Sequence, residues 1–530
     1  MSTLDESVRI LTDRNPIMNR VGITAVLAVV LTATAACAGG GQVADSSGSS
    51  GTFTFGVATD PGNLDPQRSE QEANTQVAAL AYDTPVILTK DRQVEPGVVT
   101  KWQSVDPTTW TLTVRAGVTC SDGTTLDAPT VANNLNYVAN AKNASAYANV
   151  TVPTGSVATA AGDTVTIKLP APAPFLIQDL GDLPLVCAKG IADRETLATG
   201  SDGSGPYQVT SVVPGNHIEY SLRKGFTPGL AGDTTATAAT LPSKIVVKVV
   251  SDATTTANLL LGGQLNASIV TGTDQKRLQA NGLYTVGLSN LSDQIYFNHS
   301  SSRPTADTYV RKALVMAMNM PQVIAADTAG LGAPATGLLG TPKVCSGNTL
   351  ARNLPAYDAN GAQSLLTRTK TGAPLTIVLA YSSDVTTATS AAQVIAAEWR
   401  QLGVNVTLVG KPSDQLTSSI LGATVSWDAV VFDLGFATPA QMVPFMSGQG
   451  APNGENFSFI DNATYNGLIA KASTLAGTQG CADWNAAESA LFQNADVVPT
   501  GQTPFAYYGK NATFQVSGYD LILPGTIRAQ

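Results

Sequence analysis

The sequence predicts an α/β protein built from two lobes, and two features of the chain lead to this prediction. The chain has 530 residues, which is too many for one hydrophobic core, because single cores stop growing at roughly 250–300 residues. Apolar residues alternate with a period of two in some segments and recur at helical spacing in others. Strands that alternate with helices are typical of α/β domains.

The folded body is predicted to begin with a strand at Thr52. Apolar residues alternate with small or polar residues at Phe53, Phe55 and Val57, and again at Trp110, Leu112 and Val114. This period of two is typical of a half-buried strand. Two early strands are therefore predicted.

Two strand-helix-strand units follow further along the chain. The first combines a β-branched strand at residues 245–250, a short helix at 255–261 and a strand at 267–270. The second runs from a strand at 375–379 through a helix that is stopped by Gly403. The residues that define the second helix and its following strand are Ile395, Trp399, Leu402, Val404, Val406 and Leu408.

A further helix is predicted between the two units. Its apolar stripe consists of Val310, Ala313, Leu314 and Ala317, and Asp307 is placed to cap its start. Right-handed crossovers put such helices on the faces of a sheet and leave a cleft near the carboxyl ends of the strands. We expect ligands to bind in that cleft.

The N-terminal region is typical of an export signal. Residues 21–36 form an uncharged apolar run behind Arg20, and this run is shorter than the ~20 residues that span a bilayer. Small residues precede Cys37, as signal peptidases require. We predict a signal peptide at 1–36, lipidation of Cys37 and a flexible spacer over 37–51. The alternative is an ordinary secretory signal in which Cys37 is incidental.

The composition argues against nucleic acid as a partner. The net charge is −9, and the signal peptide contains as many acidic as basic residues, so the mature chain keeps this charge. Nucleic acids and anionic lipids need clustered Lys and Arg to displace counterions. Charged residues make up only 13% of the chain, against a usual ~25%.

The remaining cysteines predict two disulfides. Cys120, Cys187, Cys345 and Cys481 are an even set in an oxidising compartment. Three connectivities are possible, and we favour the pairs Cys120 with Cys187 and Cys345 with Cys481, because each pair then stays inside one lobe. Free buried thiols are the alternative.

The sequence carries no recognisable catalytic or metal motif. It has two histidines, His217 and His299, each in a strand-like context. There is no Gly-x-Ser-x-Gly elbow, no zinc-binding helix and no phosphate-binding glycine loop. The spacing of the cysteines excludes a zinc site of the usual kind. We predict no enzyme activity, no catalytic residue, no metal ligand and no cofactor.

Five ordered segments resemble the extracellular solute-binding proteins of family 5, which serve peptide, dipeptide and nickel ABC importers. The most specific is the strand that ends in Arg115-Ala116-Gly117 and Ser121-Asp122-Gly123. The other segments are Asn63-Leu64-Asp65-Pro66 with Tyr82-Asp83 and residues 94–97; residues 203–207 with Arg223; Phe297-Asn298-His299 with Arg303-Pro304, Asp307 and residues 310–314; and Tyr357-Asp358, Ala362 and Leu365-Leu366 with Pro499 and Val516-Ser517-Gly518.

This resemblance implies a periplasmic-binding-protein-like fold of the Venus flytrap type, with an extra subdomain in the first lobe. We expect lobe I over 52–275, with the subdomain at about 80–200, lobe II over 276–490, and a return to lobe I over 491–530. By resemblance, Asp60 matches an acidic cleft position of oligopeptide binders, and Tyr507 or Tyr508 matches an aromatic residue that closes over the ligand. With Asn298, Asp433 and Phe436 these are the ligand-binding residues that we predict.

The segment that reads the cargo departs from the pattern of the family. Peptide binders usually carry an aspartate between an aromatic residue and a proline, whereas Phe436 and Pro439 have no acid between them. A buried ammonium without a carboxylate is costly. Asp433 could substitute from the neighbouring strand, and a solvated acid at the strand end is the alternative interpretation.

The resemblance implies a monomeric lipoprotein on the outer face of the cytoplasmic membrane, in the cell envelope or periplasmic space. We expect it to bind an oligopeptide-like ligand by lobe closure and to deliver that ligand to an ABC permease for transport. A second hypothesis is the same fold with a non-peptide cargo, such as a glycoside, a metal chelate or an acylated molecule. An exported hydrolase that uses His299, or a structural envelope protein, is a third.

Overall fold

A computed structural model of the chain describes residues 51–230, 232, 235–369 and 374–529. The predicted signal peptide, Cys37 and all but the last residue of the predicted spacer lie outside the described residues. Among the helices of the described part, none combines the length and the apolar character that a membrane span requires.

The strands carry the architecture and are numbered in chain order. They are β1 (Thr52–Val57), β2 (Val86–Leu88), β3 (Val94–Pro96), β4 (Val99–Asp106), β5 (Thr109–Val114), β6 (Val157–Ala161), β7 (Thr164–Lys168), β8 (Tyr207–Val213), β9 (His217–Leu222), β10 (Lys244–Val249), β11 (Ala267–Val270), β12 (Tyr284–Leu291), β13 (Gln294–Phe297), β14 (Thr376–Ser382), β15 (Asn405–Lys411), β16 (Ala429–Phe432), β17 (Val497–Pro499), β18 (Gln502–Gly509), β19 (Ala512–Thr513) and β20 (Arg528–Ala529).

The helices cover the faces of the sheets. They are α1 (Glu72–Ala81), α2 (Ala128–Ala139), α3 (Leu176–Asp179), α4 (Ala188–Ala192), α5 (Ala253–Leu261), α6 (Asp274–Ala280), α7 (Thr308–Met316), α8 (Met320–Asp327), α9 (Ala359–Leu366), α10 (Thr386–Gln401), α11 (Ser413–Leu421), α12 (Val443–Met446), α13 (Ala463–Ala472) and α14 (Cys481–Gln493).

Lobe I is built on a seven-stranded mixed sheet of order β12-β18-β11-β1-β10-β9-β8. Strand β1 lies between β10 and β11 and is parallel to both, while the outer strands pair antiparallel. The predicted strand-helix-strand unit is present as β10, α5 and β11. The side chain of Asp252 accepts a hydrogen bond from the backbone of Thr255 (2.6 Å) and so caps α5.

Lobe II is built on a five-stranded sheet of order β15-β14-β16-β13-β17. Strand β14 is parallel to both β15 and β16. The second predicted unit is present as β14, α10 and β15, and Trp399 on α10 is fully buried. Asp307 accepts from the backbone of Tyr309 (2.8 Å), so the predicted cap of α7 is also present.

The extra subdomain of lobe I consists of a four-stranded antiparallel sheet, β4-β5-β7-β6, that packs against α2. Trp110, Leu112 and Val114 alternate inward from β5 into a core of its own. Asp127 accepts from the backbone of Thr130 (3.0 Å) at the start of α2. The period-two pattern of the sequence therefore corresponds to an inward and an outward face of this sheet.

The chain changes between the two large sheets at two places. It leaves the sheet of lobe I after β12, at Leu291, and enters that of lobe II at Gln294. It leaves lobe II after Pro499 and returns at Gln502. Both changes come later in the chain than the boundaries at 275/276 and 490/491 that we predicted, and we propose lobe limits at these crossings.

Both disulfides of the favoured connectivity are present. Cys120 pairs with Cys187 across 67 residues within lobe I and its subdomain. Cys345 pairs with Cys481 across 136 residues within lobe II. Neither bridge joins the two lobes, so neither restricts a change in the angle between them.

Candidate functional site in the cleft between the lobes

A continuous cleft lies where the two lobes meet, and it has three connected compartments. The peripheral compartment, about 1430 Å³, lies between the subdomain and lobe II. The bridging compartment, about 680 Å³, shares Gly435 and Phe436 with it. The acidic compartment, about 990 Å³, is lined by lobe I and shares Asn290, Tyr519 and Asp520 with the bridging compartment. Together they form one surface, which we call the central cleft.

Strand ends supply part of the lining, as the sequence predicted. Thr271 follows the carboxyl end of β11 and lines the acidic compartment. Asp433 follows the carboxyl end of β16 and lines the bridging compartment. Loops at the carboxyl ends of parallel strands are where α/β folds bind ligands.

The start of α1 contributes the side chains that give the acidic compartment its character. Glu70 precedes the helix, and Glu72 and Gln76 are separated by one helical turn, so they share a face. Asp182, from the loop after α3, and Asp520, from the C-terminal segment, line the same compartment. The chain thus brings four carboxyl groups and one amide together.

Burial shifts the pKa values of these acids upward. Desolvation raises the pKa of Glu70 to about 8, with the charge of Asp182 as the second cause. Desolvation also raises the pKa of Asp182 to about 7, against the opposing charge of Arg92. The pKa of Asp520 rises to about 6 by the same cause, although Arg92 and Lys90 oppose it. Each carboxyl group is therefore short of compensating positive charge.

The bridging compartment places groups from both lobes opposite each other. Arg92 of lobe I donates from Nε to the carbonyl of Pro342 in lobe II (3.1 Å). Asp433 is exposed to the cleft on one side. Burial of its other sides raises its pKa to about 6 by desolvation, and the charge of Asp327 is the second cause. Phe436 packs against Phe445 with ring centroids 5.4 Å apart and faces the cleft.

Further contacts join the lobes beside the cleft. Gln441 of lobe II donates to the carbonyl of Val150 and to the carboxylate of Asp179, each at 3.4 Å. The fully buried ring of Phe175, from the subdomain, lies 5.9 Å from the ring of Trp484 in the core of lobe II. These contacts close one side of the cleft.

Two of the predicted ligand residues line the central cleft, and two others lie away from it. Asp433 and Phe436 face the cleft, and their role in binding stays a prediction. Asp60 is exposed, and its carboxylate accepts from the backbone of Gly62 (3.0 Å) and of Gly215. Asn298 is buried, donates to the carbonyl of Trp427 (3.2 Å) and lines none of the three compartments.

The prediction that Tyr507 or Tyr508 closes over a ligand needs correction. Both side chains are fully buried, because Tyr507 packs into the core on one face of the lobe I sheet and Tyr508 into the core on the other face. The hydroxyl of Tyr507 donates to the carbonyl of Asp520 (2.7 Å), and that of Tyr508 to Gln275 (3.3 Å). Tyr519 is the tyrosine that lines the described part of the cleft.

The environment of His299 does not suit general acid–base catalysis. Burial lowers the pKa of His299 to about 3, with the charge of Arg311 as the second cause. Its Nε2 lies 3.7 Å from the carboxylate of Asp496, inside lobe II. A general base at neutral pH needs a pKa near 7, and that of His299 is far lower. His217 is partly exposed at the start of β9 and lines none of the three compartments.

Sequence reasoning missed most of the acidic compartment. Glu70, Gln76, Asp182, Tyr519 and Asp520 were not predicted. The only local signals are the spacing of Glu72 and Gln76 on one face of a helix, and the position of Tyr519 and Asp520 directly after the family segment at residues 516–518. Neither signal indicates which groups meet in space.

Comparison with known proteins places this geometry in a family. The model of the bacterial extracellular solute-binding proteins, family 5, matches residues 93–454. The nickel-binding periplasmic protein of Escherichia coli K12 is 24% identical over 75% of this chain and 78% of its own length. The periplasmic murein peptide-binding protein MppA of the same organism is 23% identical over 84% of this chain and 86% of its own.

A solved structure agrees with this result. A substrate-binding protein from Microbacterium hydrocarbonoxydans, complexed with 4-hydroxybenzoate hydrazide, superposes with a TM-score of 0.69 at 27% identity, over 90% of this chain and all of the other. The predicted two-lobed α/β fold is confirmed, and the relatives are binding proteins rather than enzymes. The chain therefore belongs to the bacterial extracellular solute-binding proteins of family 5.

Proposed function

We propose that this protein captures oligopeptide-like solutes in the central cleft by closure of its two lobes and delivers them to an ABC permease. The observation that carries the proposal is a cleft whose lining comes from both lobes. A ligand that touches both walls stabilises the closed form, because it binds that form better than the open one. The relative that binds murein peptide supports a peptide-like cargo.

The lining of the cleft suits binding without chemistry. Phe436 offers an apolar wall, and Asp433 and Arg92 offer one charge of each sign in the bridging compartment. Such sites combine apolar surface with a few placed polar groups and bridging waters. A micromolar dissociation constant corresponds to about 8 kcal/mol, which a handful of such contacts supplies.

The anchor and the location are part of the same proposal. A monomer tethered through a lipidated Cys37 at the outer face of the cytoplasmic membrane would hold the cleft within reach of the permease. The signal-like run at residues 21–36 and the spacer after Cys37 support this arrangement. The Cys37→Ser variant should move from the membrane fraction to the soluble fraction, and the intact mass of the wild type should carry a diacylglycerol. A wild type found soluble with an unmodified Cys37 would refute the anchor.

Native mass spectrometry tests the cargo. Protein purified under mild conditions should release a heterogeneous peptide mixture, and the melting temperature should fall when that mixture is removed. Small-angle scattering should show a smaller radius of gyration with the released mixture than without it. Identical scattering curves at saturation would contradict lobe closure, and an altered compound after incubation would contradict simple binding.

A second candidate is a non-peptide cargo in the same cleft. No acid stands between Phe436 and Pro439, where peptide binders usually carry one. The related structure from Microbacterium hydrocarbonoxydans holds a small aromatic hydrazide. Release of a single non-peptide mass would favour this candidate, and Asp433→Ala should then leave the affinity for that compound unchanged.

A further inference from the structure

Gln76 lines the acidic compartment, and its amide carries a hydrogen-bond acceptor without a partner among the described residues. The side chain is only 4% exposed. Its Nε2 donates to the hydroxyl of Tyr507 and to the carbonyl of Asp520 (3.3 Å). Its Oε1 has no hydrogen-bond partner among the residues that the structure describes.

Hydrogen-bond logic fixes the orientation of this amide. The hydroxyl of Tyr507 donates to the carbonyl of Asp520, so it can only accept from Gln76. The carbonyl of Asp520 accepts from Tyr507 and, at its second lone pair, from Nε2 of Gln76. Rotating the amide by half a turn would place Oε1 of Gln76 against these groups and break both bonds. Oε1 is therefore held away from them as an unused acceptor.

Four carboxyl groups share the compartment with Gln76. Glu70, Glu72, Asp182 and Asp520 line the same compartment, and Oε1 of Glu70 also lacks a partner within the described ranges. The neighbouring side chains of Lys90 and Arg92 donate to the carbonyls of Gly287 (2.9 Å) and Pro342, and within the described ranges neither forms an ion pair with these acids. Desolvation by burial is the main cause of the raised pKa values of Glu70, Asp182 and Asp520, and a bound cation would counteract it.

The compartment also has an apolar wall, and its acids do not form a metal site. Phe505 and Tyr519 line it together with Ile269. The described residues contain no group of three or more His, Cys, Asp or Glu side chains placed to hold a metal ion. Several acceptors beside two aromatic rings match an organic group that only donates hydrogen bonds and that ends an apolar stem.

We propose that the acidic compartment binds an ammonium or guanidinium group of the ligand, with Gln76 and Glu70 as acceptors and Phe505 and Tyr519 beside its stem. This inference rests on the proposed function and adds a ligand class and a subsite to it. The cation can come from a free peptide N-terminus or from a basic side chain. Both sources present the same chemistry to the compartment.

Four tripeptide pools separate these sources. The first has a free N-terminus and neutral side chains. The other three are N-acetylated and contain one lysine, only neutral side chains, or one glutamate. Isothermal titration should show binding of one or both cationic pools, at least tenfold tighter than the acetylated neutral and acidic pools. The first pool reports on the α-ammonium and the lysine pool on the side chain.

Two variants locate the subsite. Glu70→Gln and Asp182→Asn keep the size of each side chain and remove its charge. Each should weaken the binding of the cationic pool about tenfold or more, since a hydrogen bond to a charged group is worth at least that factor. The matched control is Glu195→Gln, an exposed acid of lobe I outside the compartment, which should change the affinity less than twofold.

The outcomes distinguish this inference from the proposed function. If an acetylated neutral or acidic pool binds as tightly as a cationic pool, the inference is wrong while the solute-binding function stands. The inference is also wrong if a cationic pool binds but Glu70→Gln and Asp182→Asn weaken its binding no more than Glu195→Gln does. The cation would then bind elsewhere. If no pool binds, the peptide-binding proposal fails, and the inference fails with it.

Discussion

Replacing Arg311 by methionine should destabilise lobe II strongly, because this arginine is buried and fully engaged. Its side chain is 3% exposed. Nη2 donates to the carboxylate of Asp496 (3.0 Å), which is itself 1% exposed. The other donors reach backbone carbonyls on both sides of the helix, at Thr305 (2.9 Å) and Ala495 (3.2 Å) among others.

The expected cost follows from what the substitution leaves behind. Arg311→Met keeps the apolar stem and removes the charge, so Asp496 remains buried with Asn462 as its remaining hydrogen-bond donor (2.8 Å). Removing one partner of a buried ion pair costs about 3–5 kcal/mol. The double variant Arg311→Met/Asp496→Asn should recover part of this loss, because no buried carboxylate is then left unpaired.

Urea denaturation followed by tryptophan fluorescence measures the change in the free energy of unfolding. The matched control is Lys471→Met in the same lobe. The side chain of Lys471 is 69% exposed and pairs with Asp483 at 2.8 Å, so its loss should cost less than about 1 kcal/mol. The comparison separates the burial of the ion pair from a general effect of removing a positive charge.

The cost of Arg311→Met should also depend on pH. Burial already raises the pKa of Asp496, and the charge of Arg311 opposes this shift. Without Arg311 the pKa of the folded state rises further above that of the unfolded state, so stability is lost as pH increases. The variant should therefore be closer to the wild type at pH 5 than at pH 8. A loss under about 1 kcal/mol at pH 8, or a loss equal at both pH values, would refute the reasoning.

Three further predictions concern the disulfides, the cleft and the buried tyrosines. Replacing Cys120 and Cys187 by serine should lower the free energy of unfolding by about 4 kcal/mol, from the entropy of a loop of 67 residues, and an unchanged denaturation midpoint would contradict this. Affinity for the acetylated lysine pool should rise from pH 6 to pH 9, because Glu70 and Asp182, with pKa values of about 8 and 7, must ionise to bind the cation. Isothermal titration at several pH values measures this change. An affinity that falls over this range would disprove the prediction. Tyr508→Phe should cost about 1 kcal/mol of stability and leave ligand affinity unchanged, whereas a loss of affinity beyond threefold would return this tyrosine to the binding site.

Local patterns in the sequence were enough for the elements and for the family. The alternation at Phe53 and Phe55 gave the strand β1, and the helical stripe that includes Leu314 gave α7 with its cap at Asp307. These features depend on neighbours within a few residues, where backbone geometry and side-chain period determine the outcome. The cysteine pairs were also predicted, because the favoured connectivity is the one that keeps each disulfide inside one lobe.

The candidate site was predicted only where a motif pointed to it. Asp433 and Phe436 follow directly on a strand end, and they do line the cleft. Tyr507 and Tyr508 were assigned by resemblance, yet each packs into a hydrophobic core, Tyr507 on one face of the sheet and Tyr508 on the other. Asp60 was assigned in the same way and instead accepts hydrogen bonds in two turns.

The sequence by itself therefore determined the class of fold, the order of its elements, the disulfide framework and the family. Only the tertiary structure decided which side chains face the ligand. Glu70, Asp182 and Asp520 meet in one compartment although hundreds of residues separate the first from the last, because the C-terminal segment returns to lobe I through β18. Local periodicity carries no information about such long-range contacts, since these depend on how separate sheets and loops pack together.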